Sequence, residues 1–272
     1  MTTWFAAVAA LRAAREAGVL VTVSEVRGHA PRDAGAKMVV SAASTWSSIG
    51  GGNLEEEAVR RARALLDVPS ARPESFTAQL SDKAPVQHGV QCCGGEVSVL
   101  LEPLPVVPSV ALFGIGHVGL ELARILARHD LELHLVDSRP AQLSEEVLAP
   151  LADAVAAVHP HAVPVLPELV LAELPRGTRI LVMTHDHAED LAIIDAALRC
   201  THLGAIGLIG SSAKWARFRS TLLASFPAEV VDRVETPIGM PGVTTSKDPA
   251  AIAVSVAAEL LAAFEREGTR VT

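Results

Sequence analysis

The chain has 272 residues, half of them apolar, a formal net charge of −8, and only 3% aromatic residues with no tyrosine. That length suits one large or two modest cores, built here from Val, Leu, Ile and Ala. The negative balance argues against a nucleic-acid partner, which would need a basic face to displace counterions.

Near the start, Trp4, Phe5, Val8 and Leu11 mark one face of a helix, with Gly18 as its expected end. Arg12, Arg15 and Glu16 interrupt this apolar run, so no secretory signal is expected. No stretch reaches about 18 uncharged apolar residues, so no membrane span is expected. The strings "VLVTVSEVRG" and "AKMVVSA" read as strands around a proline turn, and "IGGGNLEEEAVRRARALL" as a glycine turn entering a helix. "SFTAQL" and "EVSVLLE" are further strands. This pattern predicts a smaller N-terminal α+β domain over residues 1–102 with an antiparallel sheet. The prolines of "EPLPVVPS" predict an extended linker over 103–109.

From 110 to 272 strands alternate with helices. The strands are "VALFG", "LELHLVD", a short "DAVAAV", "RILVMT" and "AIGLIG". The helices are "HVGLELARILARH", "LPELVLAEL", "HAEDLAIIDAALRC" and "SAKWARFRSTLL". A last helix, about Pro249 to Arg266, is apolar around most of its circumference and is expected to be buried on several sides. The alternation predicts a Rossmann-like, doubly wound parallel sheet of the α/β class.

Gly114, Gly116 and Gly119 stand in G-x-G-x-x-G spacing after an apolar strand and at the start of a helix. Gly114 allows the tight turn, Gly116 lets the backbone approach a pyrophosphate, and Gly119 allows close helix–strand packing. Asp137, at the end of the next strand, is placed to accept from a ribose hydroxyl. "VMTHDHAED" follows a later strand. Its His185 and His187 lie two apart and either ligate a metal or phosphate, or flank a helix capped by Asp186 or Thr184. In "GLIGSSAKWARF", Ser211 and Ser212 open a helix, with Lys214 and Arg217 as cations nearby. That is a second anion site or a well-capped helix.

In the N-terminal half, Gly50, Gly51 and Gly52 precede a helix with Asn53 as its expected N-cap. Three glycines exceed what a cap requires and permit close approach of a ligand or of another segment. Arg27, His29, Arg32 and Lys37 cluster around the turn "RGHAPRDAGAKM", an anion-binding loop or a solvated hairpin. Cys92 and Cys93 stand side by side in "GVQCCGG", and Cys200 is the third cysteine. Three cysteines do not make a disulfide framework, so a cytoplasmic location is expected. With no C-x-x-C, no structural zinc is expected. Thiolates in a glycine-rich loop are soft ligands or nucleophiles. Adjacent side chains of an extended chain face opposite ways. Unbroken alternation groups Cys93 with the apolar set Val97, Val99 and Leu101, and Cys92 with the outward set.

Taken together, "EVRGHAPRDAGAKM", "IGGGNLEEEA", "QCCGG", "LFGIGHVG", "LVDSR", "VMTHDHAEDL", "GLIGSSAKWARF" and "PIGMPG…SKDPAAIAVSVAAELL" resemble the xanthine dehydrogenase accessory protein family (XdhC/CoxI). The likeness runs in order from about Val21 to Leu261. It implies a chaperone rather than a catalyst. Such a protein binds molybdenum cofactor (molybdopterin), supports its sulfuration by a cysteine desulfurase and inserts it into apo xanthine dehydrogenase. It also implies a homodimer. Molybdenum would then enter only within its cofactor, with Cys92 and Cys93 as the candidate contacts. The pterin phosphate or a dinucleotide would use the Gly114–Gly119 turn or the loop around Arg32. The alternative is an NAD(P)-dependent oxidoreductase working at the glycine fingerprint, with His117 and His185 as the best candidate proton donors.

Overall fold

The computed structural model describes residues 2–68, 71–80 and 95–266. It resolves into two compact units, one of residues up to Val106 and one from Val107 to Phe264.

In the first unit, strands β1 (Gly18–Arg27), β2 (Lys37–Ser41), β3 (Thr45–Ser47), β4 (Glu74–Gln79) and β5 (Glu96–Leu104) pair antiparallel in the order β3-β2-β1-β5-β4. Helices α1 (Trp4–Ala14) and α2 (Gly52–Leu66) cover opposite faces. The period-2 alternation of β2 explains this. Met38 and Val40 pack with Leu54, Ala58 and Ala62 of α2, whereas Val39 packs with Ala7 and Leu11 of α1. Helix α1 ends at Ala14 rather than at Gly18, with Arg15 in the left-handed conformation at φ 53°. Gly18 instead opens β1, where a Cβ would lie 2.6 Å from Leu11 Cδ1. Its small size lets the helix sit on the sheet. Strand β5 carries Val97, Val99 and Leu101 into the core, as the alternation predicts. It continues through Pro103 to Leu104, so residues 105–108 connect the units, a shorter link than 103–109.

In the second unit, β6 (Ser109–Phe113), β7 (Glu132–Asp137), β8 (Ala157–Ala162), β9 (Arg179–Val182), β10 (Ile206–Leu208) and β11 (Val234–Glu235) form a parallel sheet in the order β11-β10-β9-β6-β7-β8. The helices are α3 (His117–Leu126), α4 (Glu145–Leu148), α5 (His187–Arg199), α6 (Ser212–Leu222), α7 (Ala228–Val231) and α8 (Pro249–Arg266). Alternate residues of β6 face opposite cores. Val110 and Leu112 pack with α3 and α8, and Ala111 and Phe113 with α5 and α6. This is the doubly wound arrangement, with the strand order reversing between β6 and β9. The segment "DAVAAV" enters a strand later than expected, at Ala157, and "LPELVLAEL" forms a 3-10 helix at Pro167–Ala172 instead of an α-helix. Pro167 at the first turn and Leu166 at φ 56° just before it fix that entry. Ala253, Val256, Ala257, Leu260 and Phe264 of α8 join the core under α3. Among the described residues, no helix is long and apolar enough to cross a membrane.

Candidate functional site

In the first unit the glycine loop is wrapped around a carboxylate of its own chain. Gly50, Gly51 and Gly52 all have positive φ, at 127°, 76° and 62°. This curl aims the N–H groups of Ile49 and Gly51 at Glu55 Oε2, each at 3.1 Å, and Ser48 Oγ donates to the same atom at 2.5 Å. The N-cap of α2 is therefore Gly51, with no side-chain capping bond, and Asn53 lies inside the helix. An anion does occupy the cradle, but it is the chain's own Glu55. Glu55→Ala is expected to release the loop and cost about 2 kcal/mol, because hydrogen bonds to a charged group are the strong class. A urea midpoint within error of wild type would refute this role.

The same glycine loop packs on the loop carrying Arg32. A Cβ at Gly50 would lie 2.5 Å from Pro31 Cγ and 3.5 Å from Arg32 Cγ. Arg32 itself is exposed. Gly95 closes the group, since a Cβ there would lie 2.2 Å from the His29 carbonyl oxygen. Three segments singled out from the sequence thus meet: residues 29–32, residues 50–52, and the residue two after Cys93. Cys92 and Cys93 themselves lie outside the described residues.

In the second unit the fingerprint glycines hold the expected positions. Gly114 has φ 102°, and a Cβ there would lie 2.4 Å from the Met183 carbonyl oxygen of the facing segment. A Cβ at Gly119 would lie 2.2 Å from the Gly114 carbonyl oxygen. Gly116 is the N-cap of α3, and nothing lies within 4 Å of the place its Cβ would take. That open approach to a helix N-terminus suits a phosphate.

Asp137 differs from the sequence expectation. Its side chain is 1% exposed and fully engaged by the chain's own donors. Oδ2 accepts from Ile115 N–H at 2.7 Å and Arg139 Nη2 at 3.0 Å. Oδ1 accepts from Arg139 N–H and Nε, both at 2.9 Å. No ribose hydroxyl can share these lone pairs unless Arg139 swings away. Burial alone would raise the Asp137 pKa, but the Arg139 side chain, the Arg139 and Ile115 N–H groups and the attraction of the guanidinium together hold it below the usual carboxylate value. A depressed carboxyl contributes stability above its unfolded pKa of about 3.9 and loses it as pH falls through the lower folded value. Asp137→Asn is therefore expected to be about 2 kcal/mol less stable than wild type at pH 7. The gap should narrow only as pH falls below the ordinary carboxylate value and through the lower folded value of Asp137. Unfolding curves at several pH values check this, and a gap constant down to acid pH would refute it.

Of the two candidate caps in "THDHAED", Asp186 is the one used. It is the N-cap of α5, and Oδ1 accepts from Ala188 N–H at 2.6 Å and Glu189 N–H at 3.1 Å. His185 and His187 are exposed on either side of it. Among the described residues they join no trio of ligating side chains within metal-binding reach. Lys214, offered as an anion-binding cation, is also engaged. Its Nζ pairs with fully buried Asp190 and donates to the Ile209 carbonyl oxygen at 3.0 Å. Asp190 Oδ1 accepts from Thr184 N–H at 3.0 Å and Thr184 Oγ1 at 2.8 Å. Ser211 caps α6, and Arg217 is exposed. The sequence pattern did not single out Glu55, Arg139, Asp190 or Glu189, which accepts from Ser138 Oγ at 2.8 Å. Only Arg139, two residues after the acid, carried a readable signal.

The family described as "XdhC Rossmann domain" matches residues 110–260, more than half of the chain, and "XdhC and CoxI family" matches residues 11–76. An uncharacterized protein of Escherichia coli (strain K12), YqeB, is 24% identical over 243 residues, covering 89% of this chain and 42% of its own length. The chain thus spans less than half of that relative. A solved structure of a xanthine dehydrogenase from Bacillus halodurans is 18% identical, with a TM-score of 0.47 over 95% of each chain.

Proposed function

The chain belongs to the XdhC and CoxI family, and from that membership we propose that it is an accessory protein of xanthine dehydrogenase. In this reading its cargo is the molybdenum cofactor, which it binds, keeps available for sulfuration by a cysteine desulfurase, and passes to the apoenzyme. A cytoplasmic location and a homodimeric state belong to the same reading.

The observation that carries it is the meeting of residues 29–32, the glycine loop and Gly95 at one place in the first unit. The residue types in these segments and next to them in sequence suit the cargo. Cys92 and Cys93 supply soft thiolates, which suit molybdenum and sulfur. The exposed Arg32 guanidinium supplies a charge for the pterin phosphate. The glycine-loop amides do not, because Glu55 already holds them. The molybdenum–sulfur group is the reactive part of the cargo, and it serves the client enzyme.

The two thiols have separate jobs. Gly95 and Val97 are buried, so the odd-numbered positions at this end of β5 face inward. Cys92 and Cys93 lie outside the described residues, and this reading takes from the sequence alternation alone that Cys92 meets the cargo while Cys93 serves packing. Protein purified from cells that make the cofactor should carry pterin above a control protein. Cys92→Ala should retain about tenfold less with its melting point unchanged, and Cys93→Ala should lose mainly thermal stability. Equal loss of both properties in both variants would refute the division, and no pterin in wild type would refute the binding.

A second reading, binding of NAD(P) or another nucleotide by the second unit, is favoured by the open approach at Gly116. Arg139 beside Asp137 suits an added phosphate better than a bare ribose.

A further inference from the structure

We propose that Glu132, His134 and His159 form a binding site for a transition-metal dication, with zinc as the best match, where β7 and β8 pair, and that His161 supports the His134 ring beside them. Glu132 and His134 are two apart on β7, and His159 and His161 two apart on β8, so each pair shares a face of its strand. The parallel register then aligns His134 with His159 and Val136 with His161. Three ligating side chains thereby gather on two adjacent strands, with His161 next to His134.

The distances are those of a cluster poised for ligation. One ligand atom from each of Glu132, His134 and His159 lies within 4.8 Å of the others. Glu132 Oε2 is 2.5 Å from His159 Nε2, and His134 Nδ1 is 3.1 Å from His161 Nε2. The His134 ring stacks against both other rings, at centroid distances of 4.8 and 5.4 Å. Tetrahedral zinc with bonds of about 2.0–2.2 Å needs ligand atoms roughly 3.3–3.6 Å apart. The stacked His134 and His159 rings must turn about their side-chain torsions for their in-plane lone pairs to meet at one ion.

Packing alone does not ask for these residues. The neighbouring positions of β7 are filled by Leu133, Leu135 and Val136, as a strand of a doubly wound sheet requires. His134, 8% exposed, supplies a fixed inner ligand, whereas the His159 side chain is 44% exposed on the edge strand and leaves a path from solvent. Imidazoles with one carboxylate select zinc over magnesium or calcium, and the carboxylate offsets half of the dication's charge. Glu132 stands at the start of β7, about 16 Å along the strand from Asp137. The ion would therefore staple the edge strand to the sheet and take no part at the phosphate-binding edge.

The test is titration of the chelator-treated full-length protein with zinc and with cobalt(II). The expected result is one equivalent per chain, a raised melting point, and a cobalt spectrum of tetrahedral intensity without thiolate charge transfer. His159→Ala, an edge substitution that leaves the core intact, should weaken binding by roughly 100-fold or more, and His134→Ala should do the same. Cys92→Ser with Cys93→Ser should leave binding unchanged. Three results would overturn the proposal: no saturable binding, unweakened binding in folded His159→Ala, or binding lost with the thiols.

Discussion

Gly119→Ala is expected to destabilise the second unit by about 3 kcal/mol or more, the upper end of what overpacking costs. The sign is informative, because alanine in a helix interior normally gains about 1 kcal/mol over glycine. Here the added Cβ would stand 2.2 Å from the Gly114 carbonyl oxygen. That oxygen cannot retreat. Gly114 is held at φ 102°, its N–H donates to the Val136 carbonyl oxygen at 2.8 Å, and Met183 backbone packs against it. Gly116→Ala is the control. Nothing lies within 4 Å of its Cβ position and its φ is −79°, so the change should stay within about 1 kcal/mol. Denaturant midpoints of the two variants should separate widely. Similar midpoints would mean that helix and turn are not packed as described.

Lys214→Met should cost about 3–5 kcal/mol, the cost of leaving a buried charge without its partner. Asp190 is fully buried, and the Lys214 side chain is 10% exposed. Methionine preserves the aliphatic length and removes only the ammonium. Asp190 Oδ1 would keep its two bonds from Thr184, but Oδ2 would lose its cation. Adding Asp190→Asn should recover most of the loss. An asparagine oxygen can still accept from Thr184, and its NH2 no longer needs a counter-charge. A double-mutant cycle read by chemical denaturation should show coupling of about 2 kcal/mol or more. Additive single effects would show that the pair is not the tie between the Thr184 segment and α6.

Much of this was legible in the residues. Glycine spacing is read directly because each role, whether tight turn, close approach or helix contact, is set by a missing Cβ. Gly114, Gly116 and Gly119 accordingly take up the positions that their spacing demands. Strand alternation told which side of β5 is inner, as Val97, Val99 and Leu101 confirm. Local capping was harder to read. Asn53 is a good capping residue, but Glu55 outcompetes it by drawing the loop amides onto its carboxylate.

Long-range partners were not legible at all. That Lys214 reaches Asp190 across 24 residues depends on packing that no local window contains. The histidines of β7 and β8 make the point most clearly. "LELHLVD" and "AVHPHAV" look like ordinary strand sequences apart. Only the parallel register brings their imidazoles together.

The proposed role of this chain is to carry molybdenum cofactor to xanthine dehydrogenase. The most direct measurement mixes protein purified from cofactor-making cells with apo xanthine dehydrogenase and follows pterin and activity in both after separation. The expected result is that pterin leaves this chain and appears on the enzyme, and that hydroxylase activity rises with it, while Cys92→Ala protein transfers little. Pterin retained on this chain with no gain in enzyme activity, or an enzyme reactivated equally well by a control protein, would contradict it.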